Sequence, residues 1–252
     1  MSTDPDPTAR RVALIANAGG YVGPPLAREL AAAGHDLVVG DPADGLVDEL
    51  VALGAQVEVV SAVRDLAHDG EAERLVQAAL DRFGRLDAAT AASGQIVVGR
   101  FLKSSVDDLR TVLSGCVEAP YNLLRAVVPV MVEQGGGQVL VITSAAGARP
   151  TRGAPLYSAA RAGANMLVRN VAEEVAATGV QVNAVGTNFM DFPAFLKANR
   201  AEDPEGRARV EAQVPMRRLG GLDEFAHFCM AFLDGRSRFT TGQFVAYAGG
   251  WA

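Results

Sequence analysis

Two cysteines, three histidines and one tryptophan are all that the 252 residues hold of the side chains that most often build metal or redox centres. Cys116 and Cys229 stand far apart, which suggests neither a disulfide framework nor a zinc site. His35, His68 and His227 belong to no motif. No run of about 18 apolar residues is present, so no membrane-spanning helix is expected. No block of Lys and Arg interrupts a chain whose formal net charge is −6, which argues against a nucleic-acid partner. The opening MSTDPDPTAR is polar, with two prolines, and reads as a flexible tail over residues 1–10 and not as a signal peptide. Hydrophobic residues at 49% and charged residues at 21% describe an ordinary globular protein, with a cytoplasmic enzyme acting on a small molecule as the default.

From residue 11 onward, short apolar runs alternate with amphipathic stretches. Strands are expected at Arg11–Ala16, Asp36–Gly40, Gln56–Val60, Asp87–Ala92, Gln138–Thr143, Gln181–Val185 and Gln243–Tyr247. Helical patterns fall between them, at about 22–34, 44–53, 70–83, 105–134, 155–178 and 221–234. Strands written as continuous Val, Leu, Ile and Ala runs imply burial on both faces. The alternation predicts a Rossmann-like, doubly wound parallel sheet of about seven strands in one domain over 11–252. The proline-punctuated region 187–215 reads as an inserted lid.

A doubly wound sheet directs attention to the turn after its first strand, where a glycine-rich loop commonly holds a dinucleotide pyrophosphate. Here that turn runs from Ala16 and Asn17 through Gly19, Gly20 and Tyr21 to Gly23, Pro24 and Pro25. A phenol at Tyr21 fills the space a pyrophosphate needs, and the two prolines have no N–H to offer it. Asp41 sits where an acid would meet an adenosine ribose, and with the turn blocked it reads as a cap or a remnant. No cofactor is expected.

Ser144 precedes Tyr157 by 13 residues, and Tyr157 to Arg161 follows a Y-x-x-x-K pattern with Arg in place of Lys. With Val182–Val185 and Gly249–Gly250, this resembles the short-chain dehydrogenase/reductase superfamily over nearly the whole chain. The departures resemble one cofactor-independent branch, the halohydrin dehalogenases: Arg161, the loop aromatic Tyr21, and the pair Asn188-Phe189. That resemblance implies a carbon–halide lyase which converts vicinal haloalcohols to epoxides and, in reverse, opens epoxides with halide, azide, cyanide or nitrite. It assigns Ser144, Tyr157 and Arg161 to catalysis and Tyr21, Asn188, Phe189 and Met190 to the halide and substrate. It also implies a homotetramer paired through the helices at about 105–134 and 155–178.

The residues can support such proton chemistry. A phenol titrates near 10, so it needs a cation beside it to act as a base at neutral pH. Arg161, one helical turn from Tyr157, supplies that charge. Ser144 would hold the substrate oxygen, and backbone N–H groups around Asn188, Phe189 and Met190 would receive the anion. The competing readings are a divergent NAD(P)-dependent oxidoreductase and a non-catalytic ligand-binding member of the same fold.

Overall fold

Alternate residues of the first strand divide between two apolar layers, and that division organises the molecule. In β1 (Arg11–Ile15), Val12 and Leu14 face one buried cluster while Ala13 and Ile15 face another. A strand buried on both faces must be apolar throughout, which is why these runs do not alternate in hydrophobicity. The computed structural model describes residues 10–63 and 65–252, so the expected tail lies outside the described residues except for Arg10.

The remaining strands are β2 (His35–Gly40), β3 (Val57–Val60), β4 (Ala88–Ala92), β5 (Gly137–Ser144), β6 (Val180–Thr187) and β7 (Phe244–Tyr247). All are parallel, in the order β3-β2-β1-β4-β5-β6-β7. This is the expected Rossmann-like α/β architecture. The winding reverses between β1 and β4, so a crevice opens beyond the carboxyl ends of these strands. Helices α1 (Gly23–Ala32) and α2 (Leu46–Ala52) cover one face, and α3 (Glu71–Phe83) covers the other.

The long fourth helical pattern is not one regular helix. It divides into α4 (Val106–Leu113) and α5 (Ala119–Glu133), joined by a π-helical segment at Ser114–Glu118. Pro120 gives the reason: it has no N–H for the carbonyl of Cys116, and its ring crowds that carbonyl. Next comes α6 (Pro155–Val175), whose buried Ala164, Val168 and Ala172 pack on the sheet. The region read as a lid carries α7 (Pro193–Ala198) and α8 (Pro204–Glu211), each opened by a proline. It has its own small core of Phe189, Ala201, Val210, Val214 and Leu219 and an ion pair between Asp191 and Arg207. Finally, α9 (Leu222–Met230) seats the fully buried Phe225 beneath the first turn.

Candidate functional site

A cavity of about 990 Å³ occupies the crevice at the carboxyl ends of β4, β5 and β6. It is lined by all seven residues singled out from the sequence: Ser144, Tyr157, Arg161, Tyr21, Asn188, Phe189 and Met190. Ser144 is the last residue of β5, where strand register fixes its position beside Thr187 of β6. Its hydroxyl donates to the Thr187 carbonyl at 3.3 Å and accepts the Ala146 N–H at 3.2 Å. Tyr157 lies in the first turn of α6, half-buried.

Arg161 follows one turn later, and its guanidinium carbon lies 5.1 Å from the centre of the Tyr157 ring. The side chain is only 3% exposed. It donates to the backbone carbonyl of Ser93 and, at 3.5 Å, to the Ser93 hydroxyl, while its Nε is buried without a partner. Among the described residues no carboxylate pairs with it. A buried cation held only by neutral acceptors leaves its field directed at Tyr157 and the cavity. Gly94 makes the arrangement possible: at φ 128° a Cβ there would lie 1.7 Å from Arg161 Nη2.

Tyr21 sits across the cavity from this group. Its φ is +51°, and its hydroxyl donates to Thr187 Oγ1 at 2.7 Å. Its ring packs against Phe192 at 4.8 Å and Phe225 at 6.5 Å. Burial pushes the Tyr21 phenol well above its ordinary range, so it stays protonated as a wall of the cavity. Of the three backbone donors expected around 188–190, two are engaged within the protein. Asn188 N–H reaches the Tyr247 carbonyl at 3.4 Å, and Phe189 N–H is bonded to Asn188 Oδ1 at 2.9 Å. Both donors are already used. Met190 is buried against Gly220, and Phe189 packs with Phe195 and Trp251.

Short-chain dehydrogenases lay a nicotinamide dinucleotide over the first turn, and in the arrangement seen the residues do not fit one. The Tyr21 ring, bonded to Thr187, takes up space in the cavity that Asn17 of that turn and Tyr157 both line. Gly23 is retained because its helix start lies against the turn: a Cβ there would come within 2.1 Å of the Asn17 carbonyl. The Asp41 carboxylate is bonded to the Ala62 N–H at 2.7 Å and anchors its own loop. Asn17 Oδ1 is buried with no partner, an acceptor left open at the same turn. No group of His, Cys, Asp and Glu suited to a metal occurs among the described residues. None of their helices is long and apolar enough to cross a membrane.

Several site features escaped the sequence reading. Ser93, which belongs to no motif singled out above, holds Arg161. Thr187, just before the Asn188-Phe189 pair, holds Tyr21. Arg149 and Trp251 also line the cavity, and no local pattern marks either of them.

The family model described as enoyl-(acyl carrier protein) reductase matches residues 16–252. An uncharacterised oxidoreductase of Mycobacterium tuberculosis is 33% identical, over 94% of this chain and 90% of its own. A 3-oxoacyl-[acyl-carrier-protein] reductase of Synechocystis is 30% identical, over 95% of this chain and 96% of its own. Among solved structures, levodione reductase superposes with a TM-score of 0.84 at 27% identity, over 95% of this chain and 96% of that one.

These matches correct the carbon–halide lyase expected above, together with its haloalcohol, epoxide and halide assignments. Relatives aligned along almost the full chain are named as oxidoreductases and reductases. The Ser–Tyr spacing could not separate the two chemistries, because it places a proton-transfer group at a substrate oxygen in either one.

Proposed function

The chain belongs to the short-chain dehydrogenase/reductase superfamily, and on that premise we propose that it is a divergent oxidoreductase acting on a small carbonyl compound or the matching alcohol. The observation that carries this reading is the alignment, along almost the full chain, with relatives named as oxidoreductases and reductases, and the convergence of Ser144, Tyr157 and Arg161 on one cavity supplies the proton-transfer groups. Ser144 Oγ and Tyr157 Oη would hold the substrate oxygen from two sides. Tyr157 would pass a proton to that oxygen on reduction, or take it on oxidation, and Arg161 would steady the charge that the proton leaves behind. Ser93 and Gly94 act indirectly, by fixing where the guanidinium sits.

The redox partner that the family implies is a nicotinamide dinucleotide, which supplies or accepts hydride when bound. Admitting it requires Tyr21 to leave Thr187. The Tyr21 closure favours a second reading, a non-catalytic member of the fold that binds a small ligand in the cavity. One experiment separates the two. Purified protein is offered a panel of ketones and secondary alcohols with NADH, NADPH, NAD or NADP, beside a Tyr157→Phe variant. Turnover that falls at least about 10²-fold in the variant supports the oxidoreductase. No turnover with any pair, or equal turnover by the variant, overturns it and leaves the ligand-binding reading. We also propose that copies assemble through α4, α5 and α6, where Leu109, Leu113, Tyr121 and Met166 stand exposed.

A further inference from the structure

An unbroken series of aromatic rings runs along one wall of the cavity and ends at a cation. Tyr21 meets Phe192 at 4.8 Å, Phe192 meets Phe195 at 6.2 Å, Phe195 meets Phe189 at 6.1 Å, and Phe189 meets Trp251 at 5.6 Å. Over the Trp251 ring, at 4.7 Å from its centre, stands the guanidinium of Arg149. All of these residues line the same cavity as Ser144 and Tyr157.

The charge at this end is opposite to that of the whole chain. Among the described residues the cavity is lined by three arginines, Arg149, Arg152 and Arg161, against a single acid, Asp65, in a protein of net charge −6. None of the three is ion-paired among the described residues. They are not equivalent. Arg161 is buried and committed to Ser93 and the Tyr157 ring. Arg152 is exposed, with no bond to hold it, so its charge is solvated and screened. Arg149 is also exposed, but it is held in place: it is stacked on Trp251, and its Nη1 donates to the Trp251 carbonyl at 2.6 Å. That bond uses one N–H and leaves the rest of the planar fork available. A guanidinium fixed in this way has already given up its rotamer freedom, so it meets a planar anion at little further entropic cost.

We propose that the cavity takes a substrate with a carbonyl or hydroxyl at one end, an apolar body and a carboxylate at the other, with Arg149 as the residue that selects the carboxylate. This deepens the oxidoreductase reading and rests on it for the reacting end. The oxygen lies at Ser144 and Tyr157, the body runs along Phe192, Phe195 and Phe189, and the carboxylate meets Arg149 above Trp251. A neutral ketone of the same shape would fill the wall and leave Arg149 unanswered.

The test measures binding alone, so a failure of turnover does not enter it. Calorimetry compares para-acetylbenzoate and its biphenyl homologue with the methyl ester of each, using wild type, Arg149→Gln and Arg149→Lys. Trp251 is the only tryptophan, so its emission reports a ligand arriving at that end. For at least one pair, the acid is expected to bind about tenfold more tightly than its ester and to perturb Trp251 emission. The acid-to-ester ratio is expected to fall to about one in Arg149→Gln, and to an intermediate value in Arg149→Lys, which keeps charge without the stacked fork. Four outcomes overturn the proposal: equal affinity of acid and ester, a preference that survives in Arg149→Gln, acid binding without any change at Trp251, or no saturable binding up to about 10 mM.

Discussion

Replacing Tyr21 by glycine measures how firmly the first turn is closed. The two closest interactions that hold the ring across the crevice are the 2.7 Å bond to Thr187 Oγ1 and the tilted contact with Phe192 at 4.8 Å. A neutral hydrogen bond contributes about 1 kcal/mol net, and an aromatic pair contributes about 1 kcal/mol beyond its buried area. Opening therefore costs about 2 kcal/mol, which leaves only a few per cent of molecules open and weakens any ligand needing the open form by about 30-fold. Tyr21→Gly removes the closure outright. Because Tyr21 already sits at φ +51°, glycine also relieves about 1 kcal/mol of backbone strain, so the fold is expected to survive. Tyr21→Phe removes the hydroxyl alone and should recover about fivefold. The assay is fluorescence titration of NADPH and NADH into all three proteins, with urea unfolding as the control for stability. Equal dinucleotide affinity in wild type and Tyr21→Gly would refute the assignment of Tyr21 as the barrier. So would a Tyr21→Phe variant that gains as much as the glycine.

Three further outcomes are expected. Gly94→Ala would drive Arg161 away by well over an ångström, since the new Cβ would begin 1.7 Å from Nη2, and should lower turnover about 10²-fold with little change in KM. Steady-state kinetics checks this, and unaltered kcat would show that the Arg161 position does not matter. His35, 1% exposed, donates from Nδ1 to the Leu30 carbonyl and accepts Arg11 Nε at Nε2, so burial and the Arg11 charge lower its pKa to about 4. The unfolded chain binds the proton from about 6.5 downward; stability is therefore complete above that pH and falls by about 3 kcal/mol as pH drops to 4, which urea titrations of wild type and His35→Gln would reveal as a loss confined to wild type. Light scattering should give a tetrameric mass, and Tyr121→Glu with Met166→Glu should lower it; a monomeric wild type would refute the interface on α4–α6.

What could be read from the sequence was whatever is decided over short distances along the chain. The runs around Ala13, Val139 and Val182 read as buried strands because a doubly covered strand has no solvent face to write in polar residues. Tyr157 and Arg161 could be paired because four residues on a helix bring side chains to one side, and the Arg161 Cζ does lie 5.1 Å from that ring. The long fourth helix was legible as a helix, but its π-helical segment was not, because the apolar periodicity spans Pro120, while the missing N–H acts on the single carbonyl of Cys116 and shifts the register there. The bonds that decide access span far more chain: 166 positions separate Tyr21 from Thr187, and 102 separate Arg149 from Trp251. Neither partner looks unusual alone. The same division explains why the reaction was misassigned while the residues of the cavity were found. A Ser–Tyr–Arg group sets where an oxygen is held and where its proton goes. What leaves or arrives at the adjoining carbon depends on the opposite wall, here Tyr21 bonded to Thr187 and packed on Phe192, and no local spacing encodes that wall. In this fold the proton-transfer half of a site is therefore written locally, and the half that chooses the chemistry is written in tertiary contacts.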